Sequence, residues 1–254
     1  MDRDFILGLF NTQMRRDPPP SAGSRVEIDR LVTRVVSDGP GWSGVVWSDL
    51  ADGDVDDAIT AQIERFSSTE GDWEWKWYSY DTPDDLPARL HAAGFVPDAV
   101  EALLIAEVAR LDLAASPPPG VELAAVVDRD GADDLVAVHD EVFGGSHADL
   151  GEAVLAALDD DLSVAAVVAR SDGVPIAAGR VEFPAGRDFA GLWGGGTLPA
   201  WRGRGVFRSL VSYRAALASQ RGYRYLQVDA SSDSQPILER LGFVRLAQTT
   251  PYRR

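Results

Sequence analysis

Residues 198–206 read LPAWRGRGV and set two arginines, Arg202 and Arg204, among two glycines, Gly203 and Gly205, directly ahead of a stretch with helical periodicity. The first turn of a helix leaves backbone N–H groups without intrahelical partners, and their partial positive charge attracts anions. Glycine admits torsions closed to other residues and lets a ligand approach the main chain, while guanidinium groups add formal charge beside those donors. The chemistry such a turn could do is to hold a diphosphate. The same residues also suit an ordinary strand-to-helix turn, with glycine for geometry and arginine for solubility. Because Lys76 is the single lysine, arginine fills nearly every cationic position and decides little alone. The preceding WGGGT, 193–197, favours the ligand reading: three glycines weaken a strand and are expected where a ladder bulges, splays or receives another chain closely.

Whole-chain totals narrow the ligand. The chain has 254 residues, 45% of them hydrophobic, enough for a real core in one large or two ordinary domains. Its formal net charge of -16 repels nucleic acid and anionic membrane surfaces and suits a small cationic molecule. The absence of cysteine excludes disulfides, thiolate metal sites and cysteine nucleophiles. Three histidines, His91, His139 and His147, are too few for a histidine metal centre, and they read as solvated or hydrogen-bonded side chains. No apolar run approaches the ~20 residues of a membrane span. The start, MDRDFILGLF, lacks a basic region followed by a long apolar one, so a cytoplasmic location is expected.

The elements that must position the loop are legible around it. LAASPPPGVEL, 113–123, breaks every periodic pattern and predicts a boundary between a first domain, 1–112, and a second, 118–254. After it GVELAAVV reads as a strand, DRDGADDLVAVHDEVF and DLGEAVLAALDD as helices, and LSVAAVVARSDG with VPIAAGRVEF as a hairpin. FAGLWGGGTL is a further strand. Val206, Leu210, Tyr213 and Leu217 then recur at helical spacing up to Gly222. RYLQVDAS, SQPILERLGF and FVRLAQTTPY close as strand, short helix and strand. The fold class is α/β, with a mixed, partly antiparallel sheet flanked by helices.

The first half repeats this order. Sliding the sequence by 148 residues lays Asp81, Asp85, Leu90, Gly94, Phe95 and Val96 on Asp229, Asp233, Leu238, Gly242, Phe243 and Val244. Two copies of one fold are expected. At that offset LADGDVDD, with Asp52, Asp54, Asp56 and Asp57, lies where the second half has LPAWRGRG, so the copies cannot share a ligand there. DWEWKWYSY alternates Trp73, Trp75 and Trp77 with Glu74, Lys76 and Tyr78, which reads as a buried sheet face or as a wall of an amine-binding cleft.

From about Val164 to Phe243 the chain resembles the GNAT superfamily of acetyl-CoA-dependent N-acetyltransferases. That family's pyrophosphate loop runs Gln or Arg, two residues, Gly, one residue, Gly or Ala; here it reads Arg202, Gly203, Arg204, Gly205, Val206, Phe207. A later leucine-glycine-phenylalanine is Leu241, Gly242, Phe243. The resemblance implies two GNAT-like domains, the first a degenerate copy without a cofactor loop. It implies acetyl-CoA as cosubstrate, held by Gly196, Thr197, Leu198 and the loop Arg202, Gly203, Arg204, Gly205, Val206 and Phe207. It further implies an oxyanion donor among the amides of Gly195 to Leu198, and direct transfer in a ternary complex. Two positions depart from the family: Phe207 stands where Gly or Ala is usual, and Leu238 where many members carry a proton-donating tyrosine.

Attack of an amine on a thioester needs a base, an oxyanion donor and an acid. Glu182, in GRVEF beside the glycine-rich strand, is the first candidate base, with an outward-facing strand carboxylate as its other reading. Asp229 is the second, although its counterpart Asp81 in the first copy argues for a structural role such as a helix cap. Tyr252 is a candidate acid, with water as the alternative. The expected function is an N-acetyltransferase moving an acetyl or short acyl group to a primary amine of a small cationic molecule. Other readings are a catalytically silent acyl-CoA-binding sensor or scaffold, and a nucleotide phosphate-binding module.

Overall fold

The computed structural model describes residues 2–19, 23–29, 31–39, 41–68, 71–159 and 163–254. In chain order come α1 (Arg3–Phe10) with a π-helical turn at Asn11–Arg16, β1 (Ser24–Ile28), β2 (Val32–Ser37), β3 (Gly44–Ser48), α2 (Val55–Phe66), β4 (Glu74–Tyr78), α3 (Leu86–Ala92), β5 (Val96–Pro97) and β6 (Glu101–Glu107). They are followed by β7 (Val121–Ala125), α4 (Arg129–Phe143), α5 (Ala148–Asp159), β8 (Val164–Ser171), β9 (Val174–Glu182), β10 (Phe189–Thr197), α6 (Val206–Gln220), β11 (Tyr225–Ala230), α7 (Gln235–Arg240) and β12 (Val244–Arg253). The run β8-β9-β10-α6-β11-α7-β12 repeats the order of β1-β2-β3-α2-β4-α3 and the strands after it, as two copies of one fold require. Among the described residues, no helix is long and apolar enough to cross a membrane.

Contacts divide the chain into two compact units. Unit 1 comprises 1–104, 229–239 and 244–254, and unit 2 comprises 105–228 and 240–243. This differs from the expected division into 1–112 and 118–254, because strand pairing outweighs chain order. β12 pairs antiparallel with β4, from Thr249 opposite Tyr78 to Arg253 opposite Glu74, and so completes the sheet of unit 1. The proline-rich stretch after Leu111 is fastened within unit 2, where Ser212 Oγ donates to Asp112 O at 2.6 Å and accepts from Ala115 N at 3.0 Å.

In unit 1 the strand order is β1-β2-β3-β4-β12-β6. The tryptophan alternation of β4 produces a buried sheet face: Trp73 and Trp75 pack with Phe66, Leu86, Leu90 and Phe95, and Trp77 lies against the same cluster. Trp73 stacks on Phe66 at 4.3 Å and meets Phe95 edge-on at 5.0 Å. The opposite face of β4 is covered too, with Tyr78 under Phe10 and the Arg15 guanidinium. In unit 2 the order is β11-β10-β9-β8-β7. One face of β8 and β9 packs through Ala166, Val168 and Ala178 on α4, and the other through Val167, Ala169 and Ala177 on α6.

Unit 1 contains a buried ion pair. Arg15 Nη1 and Nη2 donate to the two oxygens of Asp81 at 2.8 Å each, and Asp81 Oδ2 accepts from Tyr78 N at 2.9 Å. Burial opposes the Arg15 charge, yet the Asp81 carboxylate, helped by Tyr80, more than reverses this and raises its pKa above the ordinary value. Removing one partner of such a pair strands the other charge in the interior. Asp81→Asn is therefore expected to lower stability by about 3 kcal/mol, as read from urea unfolding monitored by tryptophan fluorescence.

Candidate active site

The site in unit 2 begins where β10 parts from β11. Its parallel pairing with β11 runs from Phe189–Tyr225 to Gly191–Gln227, and the strand continues to Thr197 without it. Against β9 the register slips between Trp193–Arg180 and Gly196–Ala178, and Gly194 takes φ +57°. Residues 194–196 need to be glycine here because both faces are crowded. A Cβ at Gly194 would run into His139 Nε2, one at Gly195 would meet Phe207 Cε2 at 3.1 Å, and one at Gly196 would meet Val142 Cγ1 at 2.9 Å.

The bulge is held from below by Arg214 of α6. Its Nε donates to Leu210 O at 3.1 Å, and Nη1 donates to Arg180 O at 3.1 Å and Trp193 O at 3.5 Å. The guanidinium is 1% exposed and pairs with no carboxylate among the described residues. Burial, with the Arg180 charge adding to it, brings its pKa down to about 10.

Beyond the bulge, Leu198 N donates to Ile176 O at 2.9 Å, so that amide is not a free donor. Alternation along an antiparallel ladder turns Thr197 the other way, its N–H and C=O pointing away from β9. The carbonyl accepts from Arg202 Nε at 3.1 Å, and Thr197 Oγ1 is buried without a partner. The loop then passes Gly203, at φ +74°, and Gly205, at φ +88°, which is the N-cap of α6 and is followed directly by Val206. No side chain caps this helix. The Ser209 amide bonds Gly205 O at 3.2 Å, and those of Val206, Phe207 and Arg208 precede it. Nothing lies within 4 Å of a Cβ built at Gly203 or Gly205. Arg202 and Arg204 are exposed, the latter 4.8 Å from the Trp201 ring centroid. The turn is an open, donor-lined concavity with two cations on its rim, which fits an anionic group.

The candidate catalytic side chains belong to different units. Glu182 lies at the end of β9, with Oε1 3.2 Å from Arg180 Nε. Asp229 and Tyr252 belong to unit 1. Asp229 Oδ2 is 3.1 Å from the Lys76 ammonium, which also meets Glu101 at 2.9 Å, so the carboxylate serves a buried ion pair and not a helix cap. Tyr252 sits opposite Trp75 and Pro97 in the core of unit 1, where burial raises its phenol pKa. Asp81 likewise serves the Arg15 pair, and α3 has no side-chain cap.

His139, expected as a solvated or hydrogen-bonded side chain, is hydrogen-bonded at one ring nitrogen only. His139 is 3% exposed, its Nδ1–H donates to Leu135 O at 2.9 Å, and its Nε2 is buried without a partner beside Gly194. The signal was available: His139 follows Leu135 by one helical turn and so lies on the apolar face of α4. Burial, reinforced by Arg180 and His147, holds its pKa below the ordinary 6.5, against the opposing pull of the Leu135 carbonyl. Among the described residues, no group of three or more His, Cys, Asp or Glu side chains could hold a metal ion.

Unit 2 thus sets a bulged strand, open along one edge, ahead of an uncapped helix in a mixed sheet, and comparison with known proteins finds similar folds. Residues 132–243 match the model of the Acetyltransferase (GNAT) family. A GCN5-related N-acetyltransferase from Kribbella flavida is similar in structure, at TM-score 0.70 and 18% identity over 91% of this chain and 89% of that one. So is a tandem GNAT protein from the clavulanic acid biosynthesis pathway, at TM-score 0.62 and 12% identity over 99% of this chain and 93% of that one. A GCN5-related N-acetyltransferase from Sphaerobacter thermophilus aligns at TM-score 0.56 and 15% identity, covering 90% of this chain and 81% of that one. At such identities the likeness is one of fold. No curated protein matches the chain.

Arg214→Met keeps most of the volume but leaves the Arg180 and Trp193 carbonyls unmet. Each orphaned buried acceptor costs about 1–3 kcal/mol, so a melting temperature lowered by several degrees is expected in a thermal scan, together with weaker acetyl-CoA binding by calorimetry.

Proposed function

We propose that this chain is an N-acyltransferase that takes an acetyl or short acyl group from acetyl-CoA and places it on a primary amine. The observation that carries this reading is the uncapped start of α6, opened by left-handed Gly203 and Gly205 at the end of the released strand. In it the amides of Val206, Phe207 and Arg208, with Arg202 and Arg204, hold the pyrophosphate. Gly196, Thr197 and Leu198 line the way to it, and the outward amide of Thr197 is a donor for the acyl arm or the oxyanion. Phe207 does not block the turn, since its ring lies back toward Gly195. The net charge of -16 favours a small cationic amine as acceptor.

The first copy takes no part in holding the cofactor. Asp54 is the N-cap of α2, the place Gly205 has in α6, and Asp56 and Asp57 fill its first turn, so negative charge lies where a phosphate would. A second reading, an acyl-CoA-binding sensor, is favoured by Leu238, which is 1% exposed and has no proton to donate. Saturable acetyl-CoA binding without coenzyme A release on any amine would select it.

Gly205→Asp is expected to abolish acetyl-CoA binding in a calorimetric titration. Gly205→Asn, which tolerates the same backbone without the charge, should retain part of it, and Asp54→Asn should bind as the parent does. Normal binding by the Gly205→Asp variant would remove the turn from the mechanism. In the parent, acetyl-CoA at one hundred times its Kd should stabilise the fold by about 2.7 kcal/mol in a thermal-shift assay, and ATP should displace it poorly.

A further inference from the structure

His139 places an unmet acceptor at the most exceptional backbone position of the site. With Nδ1–H committed to Leu135 O, the neutral ring carries its lone pair on Nε2. That atom is buried and unpartnered, and it faces Gly194 at the bulge. Buried polar atoms are ordinarily satisfied, so an orphan beside a reactive strand calls for a donor that a ligand would bring. The ring stands directly over the bulge because residue 194 has no side chain: a Cβ there would collide with Nε2 and lie 3.2 Å from Arg180 Nη1. Gly194 is itself half-buried, so the strand under the ring keeps part of its surface open.

We propose that His139 Nε2 is the proton acceptor for the attacking amine, reached over Gly194 directly or through one water. This rests on the acetyltransferase reading above. The neutral amine forms a bond to the acyl carbon, the carbon–sulfur bond breaks, and the nitrogen sheds one proton. Nε2 takes that proton and returns it to the departing sulfur, so the ring ends as it began and the products are an amide and coenzyme A thiol. A buried imidazolium gives up its proton more readily than a solvated one, which suits this return and supplies the donor that Leu238 cannot. The charged and titratable groups facing the ring are Asp140 on its own helix, His147 beyond it at 5.6 Å between ring centroids, and Arg180 from β9, itself paired with Glu182; β10 contributes none. Burial, Arg180 and His147 hold the ring's pKa below its ordinary value, so activity should fall only as pH drops below that depressed value.

The test compares the parent with His139→Gln, and with His91→Gln, on the exposed side of α3, as control. Coenzyme A release is followed with spermidine, tyramine and glucosamine as acceptors, and acetyl-CoA binding by calorimetry. His139→Gln should bind acetyl-CoA within threefold of the parent, lose at least a hundredfold in kcat with a smaller change in KM, and lose the acid limb of its pH profile. Turnover unchanged with binding intact would overturn the proposal and leave the acetyltransferase reading standing; a parent that binds no acetyl-CoA would overturn both. If none of the amines turns over, 15N NMR of the imidazoles decides, with His139 assigned by its loss in the variant. A bare Nε2 between pH 6 and 8 whose signal moves on acetyl-CoA binding supports the role. A protonated Nε2, or one indifferent to saturating acetyl-CoA, sinks it.

Discussion

The end of β10's pairing with β11, together with its bulge against β9, is the constraint on which unit 2 depends. A strand fully paired on each side has no free backbone donors to offer a ligand. Here pairing with β11 stops at Gly191 and the register with β9 slips at Gly194, so the segment up to Thr197 keeps its geometry while one edge stays open. The opening needs support, because a bulge turns carbonyls out of the ladder. Arg214 provides it, with donors to Arg180 O and Trp193 O from beneath the sheet. The glycines follow from the same constraint, since α4 and α6 press on the bulge from opposite faces and leave no room for side chains.

Charge is distributed around this opening by local bonds. Arg202 is tied to Thr197 O and Arg204 lies by Trp201, which fixes where the loop cations stand without neutralising them. On the α4 face Arg180 is balanced by Glu182, whereas Arg214 on the other face has only carbonyl partners. The site is therefore locally positive inside a strongly acidic chain, as an anion-binding turn requires when the remaining surface favours cations.

The two copies show how one order of elements supports different chemistry. α2 and α6 occupy the same place in the repeat, yet aspartates fill the first turn of α2 while glycines and arginines precede α6. Asp81 and Asp229 are equivalent by position and each holds a buried cation, Arg15 in one case and Lys76 in the other. A carboxylate retained at one place in the fold thus serves packing electrostatics in both.

The order of elements, the glycine turn ahead of α6 and the repeat could be read from the chain alone, because glycine torsions, helical period and strand alternation are local properties. Val206 begins α6 as its spacing implied, and Trp73 and Trp75 are buried as their alternation implied. What joins distant segments could not be read. β12 pairs with β4 across more than half the chain, which moves Tyr252 into unit 1, and the ion pair of Asp229 depends on the same long-range packing. The unmet nitrogen of His139 faces a glycine far along the chain, and only packing of α4 on β10 brings them together. Side-chain type and spacing determine which groups are present; tertiary contacts decide which of them are left without a partner, because desolvation and pairing arise only where segments meet.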